Sequence, residues 1–118
     1  LRERPASVRK RLEAAVAGGR PIVISVVTYY EMLRGSLGTR YETRVREFVA
    51  RLSVLAWSDA AAEEAARIWR GLKERGTLIG GNDTMIAGHA LAEACVLVTN
   101  NTREFARVPG LRLQDWTS

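Results

Sequence analysis

Apolar residues recur along this chain in two spacings, and glycines punctuate them. After Pro5, Val8, Leu12 and Val16 form one helical stripe that Gly18-Gly19 closes. "PIVIS" (21–25) is a short unbroken apolar run and reads as a buried strand. "VTYYEMLRG" (27–35) reads as a helix ending at Gly35, and Tyr41, Val45, Phe48, Val49 and Leu52 mark the face of another over 41–52. "VLAW" (54–57) is a second strand. Ser58 and Asp59 can cap the helix that follows, whose face is Ala61, Ala65, Ile68, Trp69 and Leu72 and whose end is Gly76. A small, greasy helix opens at Asp83, with Ala87, Ala90, Leu91 and Ala94 on its inner face. "VLVT" (96–99) is the third strand, "TREF" one helical turn, and "LRLQ" (111–114) a last short strand.

The order is helix, strand, two helices, strand, two helices, strand, a helical turn, strand. Strands that alternate with helices predict an α/β domain with a parallel sheet covered on both faces. Unbroken apolar strands, rather than alternating ones, agree with that. Ligands in such folds gather beyond the carboxyl ends of the strands. No internal repeat or linker interrupts the pattern, and 118 residues make one domain of common size.

Composition adds few constraints. No apolar run approaches the roughly 20 residues of a membrane span, and no signal-peptide pattern is present. One cysteine, Cys95, permits no internal disulfide and reads as a buried free thiol in a reducing cytoplasm. With one histidine and one cysteine, a zinc site of His and Cys ligands is excluded, so a bound metal must be held mainly by oxygen. The net charge is +5, and of 18 basic residues all but Lys10 and Lys73 are arginines. Arginine suits bidentate phosphate contact, while a GC-rich coding sequence would enrich it equally. The charge therefore permits a nucleic-acid partner without requiring one.

Polar chemistry concentrates at the expected ligand edge. Glu31 lies about one turn into the helix after the first strand, Asn100, Asn101 and Glu104 follow the third, and Asp83 opens the helix before it. Asn82 or Asp83 has a plain structural use: capping the free N–H groups at a helix start. The other use is chemical. Two carboxylates about 4 Å apart repel by roughly 4 kcal/mol at an effective dielectric near 20, and a divalent cation reverses the sign. Mg²⁺ takes oxygen ligands and keeps several waters, and such an ion can activate water for attack on phosphorus. Other chemistries lack their motifs: there is no GxxxxGK[ST], GxGxxG or GxSxG. His89, alone among small residues, reads as packed or at the surface. Trp57, Trp69 and Trp116 are dispersed and read as core or interface rather than as base-stacking platforms.

"ISVVTYYEMLRG", "IGGNDTMIAGHA" and "VLVTNNTREFARVPGLRLQDW", taken in order, closely resemble the PIN-domain ribonucleases of the VapC toxin family. The resemblance spans nearly the whole chain. It implies a three-layer α/β domain with a parallel sheet flanked by helices, an acidic pocket for Mg²⁺ or Mn²⁺, endonucleolytic cleavage of RNA such as tRNA, and inhibition by a VapB antitoxin. By position, Glu31 matches the acid of the family's T-x-x-E segment and Asp83 that of its D-x-x-I-A helix; these two are the implied metal ligands. Thr99 and Asn101 fall where many members carry a further Asp. Asn101 can hold water or ligate through its oxygen but supplies no charge, and Glu104 can compensate. The expected catalytic set is thus Glu31, Asp83, Asn101 and Glu104.

Family members also open with a central strand bearing an Asp, whereas this chain starts at Leu1, where the following helix is expected. It reads as a single PIN-like domain over 1–118, truncated at its start, with a gap in the middle of the sheet. A homodimer in the cytoplasm is expected, with the helices at 27–35 and 41–52 as candidate antitoxin contacts. The alternative function is a non-catalytic module on the same scaffold that engages an antitoxin or RNA without cleaving.

Overall fold

Capping residues set most of the element boundaries. The computed structural model describes residues 6–19 and 22–115. Helix α1 (Ala6–Ala17) ends as the Gly18 N–H donates to Ala14 O at 2.9 Å and Gly19 turns to φ +74°, a conformation glycine adopts without a Cβ penalty. The expected stripe of Val8, Leu12 and Val16 lies outside the described side chains. The described chain divides into two units, one up to Ala56 and one from Trp57.

In the first unit, strand β1 (Val23–Ser25) passes directly into helix α2 (Val26–Ser36). Ser25 is extended, and its Oγ accepts the Val27 N–H at 3.1 Å, so the last strand residue is also the helix cap. The helix does not stop at Gly35, as its sequence predicts. It runs to Ser36, the Leu37 N–H reaches Leu33 O at 2.7 Å, and the chain turns at Gly38, φ +76°. One glycine inside a helix costs only about 1 kcal/mol relative to alanine; the position that requires a left-handed residue is Gly38.

That turn leads into helix α3 (Glu42–Val49). The Gly38 N–H donates to Glu42 Oε1 at 2.8 Å, and Glu42 Oε2 also accepts from Arg46 Nε at 3.0 Å. The Gly38 N–H, then Arg46, hold the Glu42 carboxyl below its ordinary range. The helix is shorter than the predicted 41–52 because single turns, Arg51 N–H to Phe48 O and Leu52 N–H to Val49 O, close it. Strand β2 (Ser53–Leu55) then pairs parallel with β1, Ile24 opposite Val54. Ile24, Val45 and Val49 form the core here, with Tyr29, Met32, Phe48 and Leu52 packed around it.

The second unit is built on two helices. Ser58 Oγ accepts the Ala61 N–H at 3.1 Å and starts α4 (Asp59–Glu74). Ala61, Ala65, Ile68 and Leu72 are buried along one face, while Trp69, expected on that face, is exposed. It follows Ile68 by one residue, about 100° round the helix, which carries it past the edge of the buried stripe. Gly76, φ +67°, ends the helix: its N–H reaches Lys73 O, and the Thr77 N–H reaches Leu72 O at 2.8 Å. Helix α5 (Gly81–Ala92) lies against α4 with glycine at the closest approach, since a Cβ on Gly88 would fall 2.6 Å from the Ala65 nitrogen.

Ala94 then takes the left-handed conformation, φ 54°, with the Cys95 N–H donating to Ala90 O. Cys95 is free and half-buried rather than buried. Strand β3 (Leu97–Val98), helix α6 (Thr102–Phe105) and strand β4 (Leu113–Gln114) follow, and β3 pairs parallel with β4. The expected parallel pairing therefore holds within each pair. The strands of the described residues form two two-stranded sheets rather than one.

Candidate functional site

The start of α5 places Asp83. Its N-cap is Gly80, which carries no capping side chain, and Asn82 and Asp83 both fall within the first turn. The Thr84 N–H and hydroxyl both donate to Gly80 O, at 2.9 and 3.0 Å. Thr84 is buried and Ile79 before the turn is buried too, so the turn is anchored from both sides. Asp83 is left in the first turn, half-buried, where the positive end of the helix favours its charge. Further along, His89 is buried and meets Trp57 edge-on, ring centroids 5.5 Å apart. It is a packing residue of the α5 core.

The end of β3 brings two more polar side chains to Asp83. Thr99 Oγ1 accepts the Asn101 N–H at 3.0 Å and bends the chain into α6. Asn101 then directs one amide nitrogen at two acids: Nδ2 donates to Glu104 Oε2 at 2.9 Å and reaches Asp83 Oδ2 at 3.5 Å. Glu104 stands one turn into α6, whose Phe105 is buried together with Val108 just beyond it. Arg107 ties this segment to the loop before α5, donating to Leu78 O at 3.2 Å and Thr77 O at 3.5 Å. Arg75 donates back to Arg107 O at 3.4 Å.

Three of the four predicted site residues, Asp83, Asn101 and Glu104, thus meet in the second unit. Glu31 belongs to the first, half-buried on α2 between exposed Tyr30 and half-buried Met32. Asn101 differs from its expected use: its donor nitrogen, not its oxygen, faces the acids. Physically this is the neutral way to hold two carboxylates together, because an amide N–H offsets repulsion without carrying charge. Among the described residues no group of three His, Cys, Asp or Glu is arranged to hold a metal. Two carboxylates among oxygen donors form a sparse, hard set, the kind that suits an ion retaining much of its water.

Comparison with known proteins places this arrangement. The family model for the PIN domain matches residues 1–111. The chain belongs to the PIN-domain family, in its VapC branch. It is 40% identical over 121 aligned positions to a tRNA(fMet)-specific endonuclease VapC of Shigella flexneri, covering 99% of this chain and 89% of the relative. It is 34% identical to a ribonuclease VapC1 of Haemophilus influenzae (strain R2866), with 99% and 90% covered. Among solved structures, DNA-bound VapBC from Salmonella typhimurium superposes with a TM-score of 0.84 at 37% identity, over 95% of this chain and 86% of that one. VapBC-1 from nontypeable Haemophilus influenzae superposes with a TM-score of 0.85 at 30% identity, over 97% and 87%. The α/β PIN fold read from the sequence is therefore the fold of this chain. Among the described residues no helix is long and apolar enough to cross a membrane.

Two supports of this carboxylate cluster escaped the sequence reading. Thr84 looks like any helix residue until its hydroxyl is seen on Gly80 O, and Arg107 is one arginine among sixteen. The spacing of Thr99 and Asn101 was a usable signal, since a threonine hydroxyl can accept the backbone N–H two residues on and so form a turn.

Proposed function

We propose that this PIN domain is a metal-dependent endoribonuclease, the toxin of a VapBC-type pair, acting as one domain over residues 1–118. The observation that carries the reading is the convergence of Asp83 at the start of α5 with Asn101 and Glu104 at the start of α6 in a chain 40% identical to a tRNA(fMet)-specific endonuclease. That likeness makes a structured RNA such as tRNA the substrate to test first.

Asp83 and Glu31 are the residues to hold Mg²⁺ or Mn²⁺, and their oxygen chemistry fits such an ion. When bound, the ion supplies Lewis-acid polarisation of the scissile phosphate and a more acidic water. The chain's own residues do the rest. Asn101 keeps Glu104 and Asp83 in register. Glu104 orients the water that attacks phosphorus as the P–O bond to the leaving ribose oxygen breaks. Arginines bind the flanking phosphates. The solved VapBC assemblies support a VapB-type antitoxin as partner, and we extend the reading to a homodimer working in the cytoplasm.

The test is cleavage of a tRNA panel by the purified protein. Mg²⁺ or Mn²⁺ is expected to be required, and Asp83→Asn to abolish cleavage while the far-UV spectrum is unchanged. Undiminished cleavage by Asp83→Asn in excess EDTA would reject the assignment. The alternative, a binding module that does not cut, draws on the sparseness of the described carboxylate cluster. It predicts a folded chain that binds RNA or antitoxin yet shows no metal uptake.

A further inference from the structure

The outer side of α4 carries a feature that the carboxylate site does not use. Ala62, Ala66, Trp69 and Lys73 recur at i, i+4, i+7 and i+11 and so share one stripe; Arg70 adjoins it, four residues from Ala66. All five are exposed, Trp69 to 41%. Lys73 Nζ lies 4.7 Å and the Arg70 guanidinium carbon 5.6 Å from the indole centroid, within cation–π range. Glu63 and Glu64 pair with Arg67, while Glu63 and Glu74 lie on the Arg70 side of the stripe, seven residues before and four after it. Asp59 is in the first turn, about 15 Å along the axis from Trp69. Glu74 forms no ion pair with Arg70 among the described residues. Neither Arg70 nor Lys73 forms a salt bridge among the described residues, and the neighbouring stripe positions are small alanines.

We propose that this stripe is a second RNA contact, a stacking platform for an unpaired base with Arg70 and Lys73 engaging the phosphates on either side. An apolar protein partner fits it poorly, because burying the indole would desolvate two flanking cations that form no salt bridge among the described residues. Single-stranded nucleic acid supplies both elements: an aromatic face for the indole and phosphates for the adjacent cations. This reading rests on RNA being the ligand of the proposed nuclease, and it assigns no chemistry to Trp69.

The test uses the full chain in EDTA, where cleavage cannot confuse binding, and a fluorescein-labelled unstructured 12-nucleotide RNA followed by anisotropy. Trp69→Ala is expected to weaken binding roughly tenfold, the size of one lost base stack, while Trp69→Phe stays within about threefold of the parent. Arg70→Gln with Lys73→Gln is expected to lower the slope of log affinity against log salt by roughly 1.4, two phosphate contacts on a single strand. Because these side chains are at the surface, unchanged melting and far-UV spectra accompany the effects. Wild-type affinity in both Trp69 variants, or an unchanged salt slope in the double variant, overturns the proposal. So does a Trp69 dependence confined to an acidic helical peptide in place of RNA. Failure of the intact protein to cleave with Mn²⁺, with Trp69-dependent RNA binding retained, sinks the catalytic reading and supports this one.

Discussion

Gly88→Ala probes the helix pair that carries Asp83. An ideal Cβ at position 88 falls 2.6 Å from the Ala65 nitrogen and 2.7 Å from both its Cα and its Cβ. Non-bonded atoms of these kinds prefer about 3.5–4.0 Å, so α4 and α5 must separate by roughly 1 Å. No side chain can rotate away, because two of the three nearest atoms are backbone. Overpacking of this kind costs typically about 1–3 kcal/mol, and contact with backbone puts Gly88 at the upper end or beyond. Separation also loosens the neighbouring contacts of Ala61, Ile68, Leu72, Ile86 and Ala87, all buried. The opposing effect is local: alanine is favoured over glycine inside a helix by about 1 kcal/mol. We therefore expect a net loss of about 2–3 kcal/mol, read as a fall in Tm of roughly 8–12 °C for a chain of this size and as a lower urea midpoint. A variant as stable as the parent, or more stable, would show that propensity wins and that the close approach at Ala65 does not exist.

Four further outcomes follow from particular contacts. Ala94→Gly removes a Cβ from a left-handed residue, φ 54°, and should stabilise by about 0.5–1 kcal/mol; a lower Tm contradicts the cap geometry. Arg107→Ala releases the Thr77 and Leu78 carbonyls that tie α6 to the loop before α5; Mn²⁺ affinity should fall a few-fold with little change in Tm, and Arg107→Lys should restore part of it. Asn101→Asp places a third carboxylate beside Asp83 and Glu104, so the metal-free protein should melt lower and gain more from added Mn²⁺ than the parent does; equal gains refute the role given to the amide. The Glu42 carboxyl is lowered by the Gly38 N–H and then Arg46. A depressed folded-state value means its stabilisation is present above the ordinary carboxylate range and lost as pH falls through the lowered value. The stability gap between parent and Glu42→Gln should accordingly close on acidification, as unfolding curves across pH would show.

Much of this architecture was legible in the chain because its signals are local. Ser58 sits one residue before an apolar periodicity, and Gly76 stands where that periodicity ends; both act as the pattern predicts. Gly35 misled because a glycine inside a helix and one that ends it look alike until the left-handed residue, Gly38, is seen. Trp69 misled because indole is apolar yet lies one residue beyond the buried stripe. In the candidate site, Asp83 and Glu104 were visible as acids near strand ends. The direction of the Asn101 amide was not, since it depends on the start of α5 meeting the turn into α6. Gly88 shows the same limit: what it touches is 23 residues earlier in the chain, and nothing local announces it.

Asp83 and Glu31 are proposed above to hold a divalent ion. Calorimetric titration of the metal-stripped protein with Mn²⁺ tests that proposal without reference to any RNA. The account predicts a saturable isotherm for the parent that is lost in Asp83→Asn and strongly weakened in Glu31→Gln, with both variants folded. An isotherm that survives both substitutions unchanged, or no uptake by the folded parent, would contradict it.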